Sequence, residues 1–200
     1  MTIQRPPSQP GCAWIEECIE MCIAPSIFVE ERGIRATFRN PRRMQIRKVH
    51  YDGCYYNATA GRHADFIVGL LDRIDILVEL KGSDTNLTGR SGAFDQIEST
   101  LRMWKTDEHC SPRVAALIIY GRIKVKKKLP GRVPRALAER SALEAQFLKA
   151  HKTLLLIREN GERQFSFNGF LRKNDVRQGC PSLTLFSCAK DGLLPKSALR

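Results

Sequence analysis

The chain has 200 residues and a formal charge of +12, from 33 Lys and Arg against 21 Asp and Glu. That length suits one domain able to bury a core without disulfide or metal staples, and the charge favours polyanionic partners, nucleic acid first. No apolar stretch is long enough to span a bilayer, and no basic amphipathic helix with bulky anchors is found, so no membrane partner is expected.

Met1 to Gly11, rich in Pro and polar residues, reads as a disordered lead-in without the apolar stretch of a secretory signal. A cytoplasmic protein is expected. The seven cysteines are an odd number without a CxxC pair, so most are expected to be reduced thiols. From Ala13 to Ala24, Ile15, Cys18, Ile19 and Cys22 recur at helical spacing while Glu16, Glu17 and Glu20 fall away from them, which predicts an amphipathic helix with a solvated acidic side. Ile34 to Phe38 and Met44 to Tyr51 read as strands separated by the turn-like Arg39-Asn40-Pro41-Arg42. Phe66 to Leu71 and Ile74 to Leu80 are two apolar runs interrupted at Asp72-Arg73, the pattern of a tight hairpin.

Beyond a polar loop, Ala93 to Trp104 places Phe94, Ile97, Leu101 and Trp104 on one helical stripe. Val114 to Tyr120 reads as a central strand, Arg135 to His151 as a helix, and Thr153 to Ile157 as another buried strand. Phe165, Phe167 and Phe170 suggest a last strand before an irregular tail. The order helix, three strands, helix, strand, helix, strand argues for an α/β sandwich around a mixed sheet flanked by helices. The domain is expected over residues 12–160, with 161–200 as a partly irregular C-terminal extension.

The chemistry concentrates at the hairpin. Alternate side chains of a strand share a face, so Glu79 and Lys81 point together while Ile76, Val78 and Leu80 point to the other side. An antiparallel hairpin returns the end of the second strand to the start of the first, where Asp65 stands. A three-residue loop, Asp72 to Ile74, sets Asp65 opposite Lys81 and on its face, whereas a two-residue loop sets it opposite Leu80. The grouping therefore needs the odd loop or a bulge. Asp75 shares the parity of Glu79, but roughly 13 Å of strand separates them at about 3.3 Å per residue, too far to share a metal. Two carboxylates beside a lysine suit phosphodiester hydrolysis: hard oxygen ligands for Mg²⁺, and an ammonium to orient water and stabilise charge.

Asp65 in HADFIVGL and Glu79-Leu80-Lys81 in DILVELKG resemble the motif of the PD-(D/E)xK nuclease superfamily, whose restriction-endonuclease-like fold has an αβββαβ core. The resemblance implies a Mg²⁺-dependent DNA nuclease, with Mn²⁺ able to substitute, that leaves a 5′-phosphate. It implies that Asp65, Glu79 and the Leu80 carbonyl hold the metal and that Lys81 serves the attacking water. Ala64 stands where the family often has Pro. Gln96 resembles the Gln that a subset of these nucleases carries on the following helix, although Thr100 replaces the usual Tyr. Compact members often work as homodimers or within larger complexes. A bare Glu-x-Lys triplet is common at solvated strand ends as a surface ion pair; the buried strand, the matched Asp and the basic charge favour the nuclease. A non-catalytic basic nucleic-acid-binding or assembly subunit, and an RNA-directed nuclease, remain as alternatives.

Arg122, Lys124, Lys126, Lys127 and Lys128, extended by Arg132, are expected to follow a phosphate backbone, with Arg42, Arg43, Arg47 and Lys48 as an alternative path. Glu17 or Glu20 could add a carboxylate to the site but reads better as the wet face of a helix. His63 reads as a loop histidine without a role. Zinc on Cys18, Cys22, His109 and Cys110 is disfavoured, because no second close pair completes four ligands.

Overall fold

The computed structural model describes residues 8–56, 63–82, 92–121, 135–161 and 164–177. The basic stretch from Arg122 to Arg132 lies outside them, as do Cys180 and Cys188.

Ten strands and three helices are assigned among these residues: β1 (Cys12–Trp14), β2 (Ile19–Cys22), β3 (Ser26–Glu31), β4 (Ile34–Arg39), β5 (Ile46–His50), β6 (Phe66–Leu70), β7 (Ile74–Lys81), α1 (Ala93–Trp104), β8 (Val114–Tyr120), α2 (Arg135–His151), β9 (Leu154–Glu159), β10 (Phe165–Ser166) and α3 (Phe167–Arg177). The main sheet has the order β1-β2-β5-β6-β7-β8-β9. Neighbours are antiparallel from β1 to β7 and parallel from β7 to β9. The expected mixed sheet with flanking helices is therefore present.

Both faces of the sheet are covered, which is why β7 and β8 read as near-continuous apolar runs. On one face Leu77, Ala116, Ile118, Leu155 and Ile157 meet Ile97, Leu101 and Trp104 of α1 and Phe147 of α2. On the other, Ile76, Val78, Leu80, Leu117 and Leu156 meet a second, three-stranded sheet of order β10-β4-β3 and the aromatic face of α3. No helix among the described residues is long and apolar enough to cross a membrane.

Several expectations are corrected. The segment after Gly11 is not a helix but the β1–β2 hairpin, with Cys12 directly opposite Cys22. Its apparent helical stripe arose because Ile19 and Cys22 serve opposite faces of a strand buried on both sides. Four cysteines are not thiols: Cys12 bonds to Cys22 and Cys18 to Cys54, while Cys110 is free. β3 was not foreseen, although Ile27 and Val29 alternate toward a turn at Arg32-Gly33 and then Ile34, Ala36 and Phe38 alternate away. Arg32 and Gly33 both have positive φ, 50° and 78°, as a two-residue hairpin loop of this twist demands. Where one last strand was expected over Phe165, Phe167 and Phe170, the chain forms a two-residue strand and then α3, with Phe167, Phe170 and Leu171 in the central core.

Candidate active site

The β6–β7 hairpin closes through the three residues Leu71, Asp72 and Arg73, with Leu70 paired to Ile74. Asp72 takes the left-handed conformation, φ 57°, which Asp tolerates better than most residues. The loop is odd, as the site requires, but it begins one residue earlier than expected. Phe66 therefore pairs with Val78, and extending the register sets Asp65 against Glu79 rather than Lys81. The shift of two keeps the parity, so Asp65, Glu79 and Lys81 still share a face.

That face is not simply a charged one. Leu77 lies on it within the core, and Glu79 is fully buried. Lys81 Nζ lies 2.5 Å from Glu79 Oε1, with a fifth of its side chain exposed. Apart from this ion pair, neither carboxylate oxygen of Glu79 meets full hydrogen-bond geometry with a described residue. Burial lifts the Glu79 pKa to about 7, while Lys81 and the Asp65 backbone pull the other way. Asp65 stands well above the usual carboxylate range, because of burial first and the neighbouring Glu79 second. Its Oδ2 accepts a hydrogen bond from the Leu80 amide at 2.6 Å, which partly offsets this. The Leu80 side chain belongs to the opposite core.

Helix α1 organises this cluster. Gln96, buried on the first turn of the helix, accepts a hydrogen bond from Lys81 Nζ through Oε1. Its Nε2 donates to the His63 carbonyl at 3.1 Å. One turn later Thr100 Oγ1 accepts from the Ala64 amide at 2.7 Å. Gln96 and Thr100 thus pin the chain just before Asp65 and tie it to Lys81. At the far end of β7, Gly121 donates its amide to the Lys81 carbonyl at 2.8 Å. A Cβ on Gly121 would sit 2.3 Å from the Gly82 carbonyl oxygen, so the two chains pass closely just beyond the lysine.

A third carboxylate was missed. Glu31, at the end of β3, makes a hydrogen-bonding contact with Asp65 that raises the Asp65 pKa, and its charge also raises that of Glu79. The signal that would have found it is the β3–β4 hairpin pattern, which carries Glu31 to the Arg32-Gly33 turn. Glu20 and Glu17 do not join the site. Glu17 is exposed in a bend. Glu20 is buried in β2, where its Oε1 meets Lys48 Nζ at 2.7 Å and His50 Nε2 at 2.8 Å. Burial raises its pKa, but the bonds from His50 and Lys48 outweigh this and leave it lowered. The Glu20 carboxylate also approaches the sulfurs of Cys12 and Cys22, but these are bonded to each other.

Asp75, also fully buried, stands apart as expected. Arg47 Nη2 lies 3.2 Å from its Oδ1, while Trp104 Nε1 and the Ser111 amide donate to its Oδ2 at 2.8 and 2.7 Å. Gly69 opposite leaves room for it: a Cβ there would meet Asp75 Oδ1 at 2.1 Å. Arg47 and Lys48 are therefore internal partners, and the alternative nucleic-acid path through them is overturned. His63 lies in the coil before β6, buried against Tyr51 and Tyr56, and burial lowers its pKa.

The donor set fits a hard divalent cation. Asp65 and Glu79 are anionic oxygen ligands in an environment that disfavours their charge, and the buried Glu79 oxygens want a partner. In comparisons with family models, curated proteins and solved structures, nothing matches this chain.

Proposed function

We propose that the chain is a metal-dependent nuclease of the PD-(D/E)xK type that hydrolyses DNA phosphodiester bonds. The observation that carries this reading is the convergence of Asp65, Glu79 and Lys81, with a buried Glu79 carboxylate that lacks full hydrogen-bond partners. The run β5-β6-β7-α1-β8, an antiparallel meander followed by a helix and a parallel strand, supports it as the βββαβ part of the restriction-endonuclease-like core. The reading departs from that core at its leading helix, where this chain has β1 and β2.

Asp65 and Glu79 would hold Mg²⁺, or Mn²⁺ in its place. When bound, the ion supplies charge neutralisation at a phosphate and water activation. Lys81 orients the attacking water and stabilises the charge that develops on the phosphate oxygens. Gln96 fixes the ammonium of Lys81 and, through His63, the approach of Asp65. Gln96 is a positioning residue.

The test is incubation of the purified chain with labelled DNA and with labelled RNA, each with Mg²⁺ and with EDTA. Mg²⁺-dependent cleavage of DNA is expected. Cleavage of RNA alone would change the substrate, and binding without cleavage of either would make the chain a non-catalytic binding subunit.

A further inference from the structure

The β3–β4 arm and the turn after it are rich in arginine, with Arg32 and Arg35 paired to Glu31 and Glu30. Glu30 to Arg43 carries five arginines, Arg32, Arg35, Arg39, Arg42 and Arg43, against two carboxylates, Glu30 and Glu31. Alternation in β4 sends Ile34, Ala36 and Phe38 into the core and leaves Arg35 and Arg39 exposed on the outer side. Phe28 of β3 lies across from Thr37, and the Arg35 guanidinium sits 4.3 Å from its ring centroid. Arg42 and Arg43 continue the exposed basic surface into the turn before β5. Arg39, Arg42 and Arg43 form no ion pair with a described carboxylate.

A charged outer face often only guards a sheet edge. That explanation does not cover Arg39, which β3 and β10 flank on both sides, or Arg42 and Arg43, which lie in the turn beyond β4. The residue type also matters: the five cations are all arginine, whose planar fork matches a phosphate.

The arm begins at the candidate active site. Asn160 Nδ2 donates to the Gly33 carbonyl at 3.4 Å, and the Arg35 amide donates to Asn160 Oδ1 at 3.3 Å. The Asn160 amide in turn donates to the carbonyl of Tyr120, the register partner of Lys81. The arm's tip is thereby docked at the sheet end that carries Lys81. Its other end opens on a cavity of about 380 Å³ lined in part by Arg39, Arg42, Met44, Ser166 and Asn168. Between the two, Arg35 and Arg39 share the outer face of β4 four residues apart, roughly 13 Å at about 3.3 Å per residue, with Thr37 between them.

We propose that this outer face is a track for a nucleic-acid backbone, with Arg39, Arg42 and Arg43 as its main phosphate contacts. Its role as the lead-in to a cleavage site rests on the nuclease reading; its role as a binding surface does not. The test uses the full chain in EDTA with a short labelled DNA duplex, titrated across a salt series. Arg39→Gln/Arg42→Gln/Arg43→Gln should weaken binding and flatten the slope of log affinity against log salt by about 2.7, from about 0.9 per phosphate contact. Arg102→Gln/Lys105→Gln/Lys149→Gln makes the same change in net charge on α1, at the residue that caps it and on α2, and should leave the slope unchanged. Thermal melts of both variants, and single substitutions of each arm arginine, separate a lost contact from a lost fold. An unchanged slope in the folded arm variant, or an equal loss in both triple variants, overturns the track. Arm-dependent binding by a chain that cleaves nothing in Mg²⁺ would uphold the track and overturn the nuclease reading.

Discussion

Glu79 and Lys81 are two residues apart in sequence, yet burial gives them opposite obligations. The carboxylate is out of water and resists ionisation, whereas the lysine keeps a fifth of its side chain exposed. Lys81→Ala should abolish Mg²⁺-dependent cleavage while leaving the thermal melt and most DNA affinity intact, because the ammonium acts on the transition state more than on the bound duplex. Cleavage by that variant at the parental rate would remove the site assignment. A second expectation concerns pH. With its folded pKa raised from 4.5 to about 7, Glu79 holds a proton in the native state that the unfolded chain has released. Its contribution to stability is thus complete below about pH 4.5 and lost as pH rises through about 7. Asp65, raised for the same reason, acts in the same direction. Urea titrations in EDTA should show stability falling across this window, with ~3 kcal/mol as the Glu79 share at about 1.4 kcal/mol per pKa unit. Glu79→Gln should flatten the fall, and Mg²⁺ should oppose it in the parent because the ion competes with protons for the carboxylates. A parent whose stability is flat with pH in EDTA would mean that the carboxylates are better solvated than their burial indicates.

At the scale of elements, β7 carries two acids with different purposes, and their partners tell them apart. Glu79 pairs with a lysine that also faces solvent and lies beside the carboxylates of Asp65 and Glu31; Asp75 is enclosed by Arg47, Trp104 and the Ser111 amide. Asp75→Asn leaves the Arg47 guanidinium buried without its counter-charge and should cost about 3–5 kcal/mol, read by urea denaturation. At a temperature where the variant is folded, its cleavage rate should match the parent. Loss of cleavage in a folded Asp75→Asn protein would place this acid in the chemistry after all. The hairpin and α1 were legible in the sequence because each has one strong period: apolar runs broken at Asp72-Arg73, and a 3.6-residue stripe ending at Trp104. The β1–β2 hairpin was not, because a strand buried on both faces loses its period of two. Ile19 and Cys22 then imitate a helix.

Across the whole molecule, the three layers leave the N-terminal hairpin at the rim of the main sheet, where Cys12–Cys22 joins its two strands and Cys18–Cys54 fastens it to the segment after β5. Cys18 and Cys54 are 36 residues apart, so their bond closes a long loop and removes much of the freedom of the unfolded chain. Cys54→Ser should lower stability by about 4 kcal/mol on the loop-entropy account. Reductant should destabilise the parent by at least as much, since it also opens the Cys12–Cys22 bond. A reductant-insensitive urea midpoint would show that these pairs are thiols in solution.

The sequence by itself determined the residue types of the candidate site, the odd-loop condition for bringing them to one face, the mixed α/β class and the net charge of +12. Those follow from local periodicity, charge and the chemistry of Asp, Glu and Lys. Only the tertiary structure decided the register that sets Asp65 against Glu79, the partners of Asp75, Glu20, Arg47 and Lys48, and the approach of Glu31. Each depends on which side chains from distant segments meet, and a chain read one segment at a time carries no record of that. Burial is the sharpest case. Lys48 and Arg47 look in sequence like the exposed Arg42 and Arg43 beside them, yet β5 is an inner strand of the sheet and its two cations face acids on β2 and β7. Desolvation then makes structural partners of them and leaves Arg42 and Arg43 in the turn as the exposed cations.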